Sequence, residues 1–411
     1  MHVIKYFLLL LTLNSICCFQ DKDQFDIQTT KITDDLINSR CTGVSVTAAR
    51  TSEGIVLFDT HRSPGIMNSI REKICSELGT NNFKYVINTH GHWDHIGGNE
   101  LFNNTQIIAQ ENALNYIRTS PPDSPGLVLN AKNNISRFEK ELKTLSPESD
   151  EAKAEQQNIN AWKDIYNFIS TSSTYTLPTK TFSDSLIVTS GDHTFELYFC
   201  GKLHTNHDVI TYIPEESALI TGDLLNTPYS FSFPVNKITN VPELISLLKN
   251  ILKRDPDLKY IITSHGGVFP GSELYKTINI LEQRYSELNQ KLSAAAYLMK
   301  MFESENINTA IEKYEMNMKS SFEKYYKSEN EFNTLAEMMI YTAEFSKAIV
   351  LLKLTLKEFP NSILSYDNLA RISLKTGNYK MAREYYEKSH ELFPENMYIK
   401  SLINFIKEKQ K

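Results

Sequence analysis

The sequence predicts an α/β fold over residues 20–290 followed by an all-α helical domain over residues 303–411, and three observations lead there. Short apolar, β-rich runs alternate with amphipathic segments up to about residue 290. Beyond residue 303 that alternation stops. Leu335-Ala336 then recurs as Leu369-Ala370, Phe345 as Tyr379, Ala348 as Ala382 and Phe359-Pro360 as Phe393-Pro394, each pair 34 residues apart. Within the first of these regions, one short stretch, THGHWDHIGGN at residues 89–99, gathers His90, His92, Asp94 and His95.

The chain opens with MHVIKYFLLLLTLNSICCFQ, one lysine and then an apolar core over residues 6–13. That core is too short to span a bilayer, which takes about 20 residues. It fits a secretory signal peptide over residues 1–19, cleaved between Cys17 and Gln20. The expected location is therefore secreted or periplasmic, with a lipid-anchored form through Cys17 or Cys18 as the alternative. No later run is apolar enough for a membrane helix. Cleavage leaves Cys41, Cys75 and Cys200, too few and too sparse for a disulfide framework. The net charge of −6 becomes −7 once Lys5 leaves with the leader, and no basic stripe is present, which argues against nucleic acid as substrate or partner.

Residues 26–60 read as a β-meander, with VSVTAAR and GIVLFDT flanking a Thr-Ser-Glu turn. An amphipathic helix over residues 64–79 leads back to a strand, KYVIN, closing a β-helix-β unit. TQIIAQENA reads as strand then helix. From about Pro121 to Pro178 lies an insertion bounded by SPPDSPG and TSSTYTLPT, with helical spacing in NNISRFEKELKTL and AKAEQQNINAWKDIYNFI. It is expected to be a helical pair serving as a lid, a dimer contact or a solvated decoration. LIVT, HTFELYF, VITYI and ALIT restore the β pattern, VPELISLLKNILKR is an amphipathic helix, and YIITSHG a last strand. A long helix is expected from Ser272 to about Phe302, and further helices over residues 307–326 and 397–409 flank the repeats.

Imidazoles and a carboxylate packed as tightly as His90, His92, Asp94 and His95 suit Zn²⁺ or a similar borderline metal. KYVIN delivers them to a strand-to-helix turn, and Gly97 and Gly98 suit a tight lead into a helix. On one helix His90 and His92 could not face the same metal, because positions i and i+2 diverge. On a loop, His90 and His92 can serve one metal while Asp94 and His95 serve a second.

THGHWDHIGGN resembles the HxHxDH signature of the metallo-β-lactamase superfamily. The remaining motifs follow in order: GKLHTNHD offers His204, ALITGD offers Asp223 and YIITSHG offers His265, each at the end of an apolar run. The resemblance covers roughly residues 25–290 and implies a four-layer αββα sandwich with two Zn²⁺ per chain. Carried over, His90, His92 and His204 hold one metal, Asp94, His95 and His265 the other, and Asp223 bridges them. Asp59, closing the second strand, is either a support for these ligands, as the family implies, or a turn residue. Cys200 is read as a core cysteine and His207 as a non-ligand. Trp93 and the aromatic loop 224–236 are candidate pocket walls, or else ordinary packing. The 34-residue period is similar to the tetratricopeptide repeat, which implies either a groove for a peptide, protein or second copy, or a buttress for the enzyme.

The expected function is metal-dependent hydrolysis. Paired cations make hydroxide available from a shared water at neutral pH and polarise a carbonyl, and Asp94 also orients the nucleophile or receives its proton. The substrate is a small molecule with an ester, lactone, thioester or β-lactam-like carbonyl. Flavodiiron reductases of the superfamily carry Glu where this chain has His92, which favours zinc hydrolysis. Many zinc β-lactamases carry Cys or Ser where Asp223 stands, which weighs against efficient β-lactam turnover, although HTNHDVITYIP resembles the secreted lactamases more than glyoxalase II. Two alternatives stand beside it: a mononuclear-iron persulfide dioxygenase, and a non-catalytic scaffold whose repeats bind a partner.

Overall fold

The structure, a computed structural model, describes residues 24–410 apart from 123, 173, 289, 290, 395 and 396. The expected signal peptide, with Cys17 and Cys18, lies outside these residues. Strands β1 (Gln28–Lys31), β2 (Leu36–Cys41), β3 (Val44–Thr51) and β4 (Gly54–Phe58) form an antiparallel meander. Helix α1 (Pro64–Leu78) then crosses over to β5 (Phe83–Ile87), which pairs parallel to β4. That is the geometry a strand–helix–strand unit imposes. In α1 the apolar residues Ile66, Ile70 and Ile74 recur every fourth position and are buried, and the helix ends at left-handed Gly79. A one-turn helix α2 (Trp93–Ile96) follows, then β6 (Gln106–Gln110) and α3 (Glu111–Thr119). The insertion is α4 (Pro125–Leu142) and α5 (Asp150–Thr171), after which β7 (Lys180–Phe182) joins β6. Among the described residues these seven strands make one sheet in sequence order.

The second sheet is built from β8 (Ser185–Ser190), β9 (His193–Phe199), β10 (Val209–Ile213) and β11 (Ala218–Ile220). A small ribbon, β12 (Leu225–Thr227) and β13 (Ser230–Phe231), precedes helix α6 (Val241–Arg254). Beyond it β14 (Tyr260–Thr263) pairs parallel to β11, and β15 (Gly267–Pro270) closes the edge. The sheets face each other across a dry layer that includes Phe58, Ile87 and Ile108 from the first and Phe195, Val209 and Ile262 from the second. Helices α1 and α5 cover the outer face of the first sheet. Helices α6 and α7 (Glu273–Ser286) cover that of the second. The result is the four-layer αββα sandwich. Strands β3 and β10 are buried almost throughout, as strands covered on both faces must be.

The insertion is not a solvated decoration. Ile159, Ile165 and Ile169 of α5 are buried in the same core as α1. Asp164 Oδ2 accepts hydrogen bonds from Ser63 Oγ at 2.7 Å and from the Ile66 N–H at 3.2 Å, capping α1 from outside.

The expected single helix from Ser272 to Phe302 is broken. Between α7 and α8 (Ala294–Ser304) lies a bridge strand, β16 (Leu292–Ser293), paired with β17 (Tyr325–Tyr326). Ser293 starts the new helix by accepting from the Ala296 N–H at 3.0 Å, while its own hydroxyl donates to the buried Glu331. Helix α9 (Ile307–Ser320) packs on α8, and the repeats follow as α10 (Glu329–Tyr341) with α11 (Phe345–Glu358) and α12 (Ile363–Lys375) with α13 (Tyr379–Leu392), closed by α14 (Met397–Lys409). Ala336, Ala348, Ala370 and Ala382 are fully buried, and their small side chains let the helices approach closely. This helical region is docked on the sandwich. Leu129 of α4 packs against the cluster of α12, α13 and α14. The Lys237 N–H donates to Glu331 at 3.1 Å, and the Asn236 amide donates to Asn330 Oδ1 at 3.1 Å. No helix among the described residues is long and apolar enough to cross a membrane.

Candidate metal centre

The seven side chains drawn from four separate motifs converge at one end of the sandwich. His90 and His92 leave the end of β5, Asp94 and His95 lie on α2, His204 precedes β10, Asp223 follows β11 and His265 follows β14. Two groups have their ligating atoms within 4.8 Å of one another: His90, His92, His204 and Asp223, and Asp94, His95 and His265. His92 Nδ1 lies 3.0 Å from His90 Nε2 and 3.1 Å from His204 Nε2. Tetrahedral zinc with N ligands at about 2.0–2.1 Å puts neighbouring ligand atoms about 3.3 Å apart, close to these spacings. Asp223 stands between the groups. Its Oδ2 is 3.6 Å from His90 Nε2, 3.5 Å from His204 Nε2 and 3.2 Å from His265 Nε2, and its Oδ1 is 3.3 Å from His95 Nε2.

The donor set fits a cation. His95 Nε2 and Asp223 Oδ1 are buried with only a loose approach to each other at 3.3 Å, a costly arrangement unless an ion sits between them. Burial first, and then the neighbouring His204, push the His92 imidazole down to about 3, and burial with His95 holds His90 well below its ordinary value. Both rings are thus neutral, as metal ligands must be. Burial opposes charge on His95 too, but Asp223, Asp94 and Asp59 together raise it well above the usual range. Three carboxylates around one ring mark a site with a surplus of negative charge.

The imidazoles are fixed from behind. His95 Nδ1 donates to Asp59 Oδ2 at 2.9 Å, His204 Nδ1 to the Ser232 carbonyl at 3.0 Å and His265 Nδ1 to the Gly43 carbonyl at 2.9 Å. Each bond holds the tautomer that turns Nε2 toward the centre. Asp59 is therefore a support rather than a turn residue, and it also accepts from the Thr89 N–H at 2.8 Å and hydroxyl at 2.7 Å. Its backbone sits at φ 63° and His61's at φ 61°, so the loop carrying it is strained. Asp59→Ala is expected to weaken metal binding by about 10–100-fold with little change in secondary structure. Competition with a chromophoric chelator measures this; an unchanged affinity would remove Asp59 from the centre's support.

Gly97 closes α2 and Gly98 leads, as expected, into a short 3-10 helix at Asn99–Phe102. They let the chain run against the Thr60–Arg62 backbone, where the Gly98 N–H donates to the Thr60 carbonyl at 3.0 Å; a Cβ at Gly98 would sit 2.5 Å from Met67 Cβ. Gly222, at φ 56°, turns the chain into Asp223 against Thr89. Cys200 is a core residue whose thiol burial pushes up, and it belongs to neither ligand group. His207 is also outside both groups and lies behind His90, its Nδ1 accepting from the Gly91 N–H at 3.3 Å. Phe233 and Phe231 of the aromatic loop pack into the core of the α6–α7 layer; the loop's contribution to the centre is the Ser232 carbonyl.

Arg62 escapes sequence reading. Its guanidinium lies 5.3 Å from the ring centres of both Trp93 and Trp162, with Nη2 3.9 Å from Asp94 Oδ2. The partner tryptophan sits 100 residues along the chain on the insertion, so no local pattern announces the contact.

A cleft of about 250 Å³ opens beside the centre, with His92, Trp93, Asp94 and Tyr116 on its sandwich side. Trp93 is thus a wall, as expected.

The chain belongs to the metallo-β-lactamase superfamily, whose sequence profile matches residues 40–265. Residues 363–396 match the tetratricopeptide repeat. Two curated relatives, both described as metallo-beta-lactamase type 2, from Bacteroides fragilis and Elizabethkingia meningoseptica, are each 24% identical over 115 residues, 28% of this chain. The matches span 46% and 45% of those relatives, less than half their length. A solved metallo-beta-lactamase from Pontibacter korlensis is similar over 62% of this chain and 99% of its own, at 19% identity and a TM-score of 0.40.

Proposed function

We propose that the chain is a secreted, binuclear zinc-dependent hydrolase acting on an ester, lactone, thioester or β-lactam-like carbonyl. The observation that carries this reading is Asp223 standing between two groups of ligating atoms, within 3.2–3.6 Å of imidazoles from both. When bound, paired zinc ions acidify water and polarise a carbonyl. The residues divide the remaining work. His90, His92 and His204 would hold one ion, Asp94, His95 and His265 the other, and Asp223 would reach both. Asp94 also faces the cleft, where its carboxylate orients the attacking water and takes its proton. Trp93 and Tyr116 wall the cleft and exclude bulk water from the reacting carbonyl.

The test is hydrolysis by the zinc-loaded mature protein of a chromogenic cephalosporin, a thioester and a lactone, with Asp94→Asn and His92→Ala as controls. One of these substrates should turn over, and Asp94→Asn should slow it on the order of 10²–10⁴-fold. Turnover that survives His92→Ala would overturn the assignment. Elemental analysis finding one iron per chain in place of zinc would favour the persulfide dioxygenase chemistry.

A further inference from the structure

The wall of the cleft opposite the metal ligands comes from the helical repeats. Ile340 of α10 and Arg371 and Lys375 of α12 line the same space as His92, Trp93 and Asp94. Arg371 and Lys375 are four residues apart on one helix, so both cations stand on one face, one turn from each other. Like charges at that spacing disfavour the helix.

The acids around this pair do not saturate it. Glu337 Oε1 approaches Arg371 Nη2 only to 3.9 Å. Asp367, one turn earlier, also feels the Arg371 charge, yet burial raises its carboxyl above the usual range. Arg371 Nε and Nη2 are buried without a hydrogen-bond partner among the described residues. Lys375 is exposed as a residue, but protein atoms crowd its ammonium and lower it, and the Arg371 charge lowers it further. An under-paired guanidinium and a neighbouring ammonium on the wall of one cleft are groups that receive a carboxylate. Such a carboxylate, bound at the roof, would lie across the cleft from Asp94 and the metal ligands, with the body of the molecule between Trp93 and Tyr116.

We propose that Arg371 and Lys375 form a carboxylate subsite, so that the repeat region completes the substrate pocket and selects acyl substrates that carry an acidic group. The proposal rests on the hydrolase reading above for its chemistry, but the subsite itself can be read independently. The first arm compares mono-4-nitrophenyl glutarate with 4-nitrophenyl butyrate, which share a leaving group and differ in the free carboxylate. For the zinc-loaded protein, Arg371→Gln and Lys375→Gln should each raise KM for the glutarate ester on the order of tenfold. Neither should change kcat, zinc content or the KM for the butyrate ester. The second arm is calorimetric titration of glutarate into the zinc-free protein, where binding should weaken in both variants. Should Arg371→Gln fail to fold, exposed Lys375 carries the test.

Equal losses on both esters would make the pair a structural roof and overturn the proposal, as would unchanged kinetics with both. If wild type hydrolyses neither ester, the calorimetric arm decides the subsite alone. Binding weakened by the variants then supports it while the hydrolase reading fails for these esters. Glutarate that does not bind, or binds all variants equally, overturns it.

Discussion

Asp223→Ala is expected to strip both metals from the protein and abolish hydrolysis in one step. Asp223 is the side chain that contacts both ligand groups, through Oδ1 to His95 and Oδ2 to His90, His204 and His265. Burial alone would raise its carboxyl, but the imidazoles around it, His95 and His90 foremost, hold it well below the usual range, so it is an anion at neutral pH. Removing it leaves four imidazoles around a hole with no bridging charge. A residue that merely supports a ligand costs about 10–100-fold in affinity, so a shared ligand should cost on the order of 10³-fold or more at each position. Elemental analysis of dialysed protein should read two zinc ions per chain in the wild type and fewer than one in the variant. A variant that kept both ions and a rate within about tenfold of wild type would show that Asp223 does not bridge.

Phe195→Ala should carry the largest cost to stability. Phe195 is fully buried between the two sheets, with its ring 5.9 Å from that of Phe58. Truncation opens a cavity in a layer whose walls are strands and cannot collapse into it, so the loss should be about 3–5 kcal/mol. A folded domain is stable by about 5–15 kcal/mol in total, so the variant should unfold at much lower urea. Phe195→Leu keeps most of the volume and should cost under about 1.5 kcal/mol. Equilibrium urea unfolding of the metal-free proteins separates the two. A cost below about 1 kcal/mol for the alanine variant would contradict a dry, packed inter-sheet layer.

Much of this was legible because metal ligands announce themselves locally. His90 to His95, His204, Asp223 and His265 each sit just past an apolar strand, and a strand end is written in a handful of neighbouring residues. The αββα layering and the 34-residue period were legible for the same reason, since both depend on patterns within one segment. What escaped depends on surfaces meeting across long stretches of chain. Trp162 beside Arg62, Asp164 capping α1, and Arg371 above the cleft follow from docking that no local pattern encodes. The break between α7 and α8 escaped too. Residues 272–302 contain neither glycine nor proline, and the restart at α8 rests on Ser293, which caps the new helix through the Ala296 N–H and is tied to the distant Glu331.

On the proposed reading, the spread of the ligands, from position 90 to position 265, fixes the order in which this protein can mature. As the chain leaves the ribosome, His90 to His95 emerge early but have neither Asp223 nor His265 to close around an ion. High-affinity metal capture therefore waits until the second sheet has formed and β14 has paired with β11. A metal held this way cannot nucleate the first sheet, which must fold on its own apolar pattern. On that reading loading is a late step, and a chain truncated before β14 should bind zinc far more weakly than the full chain in a chelator competition.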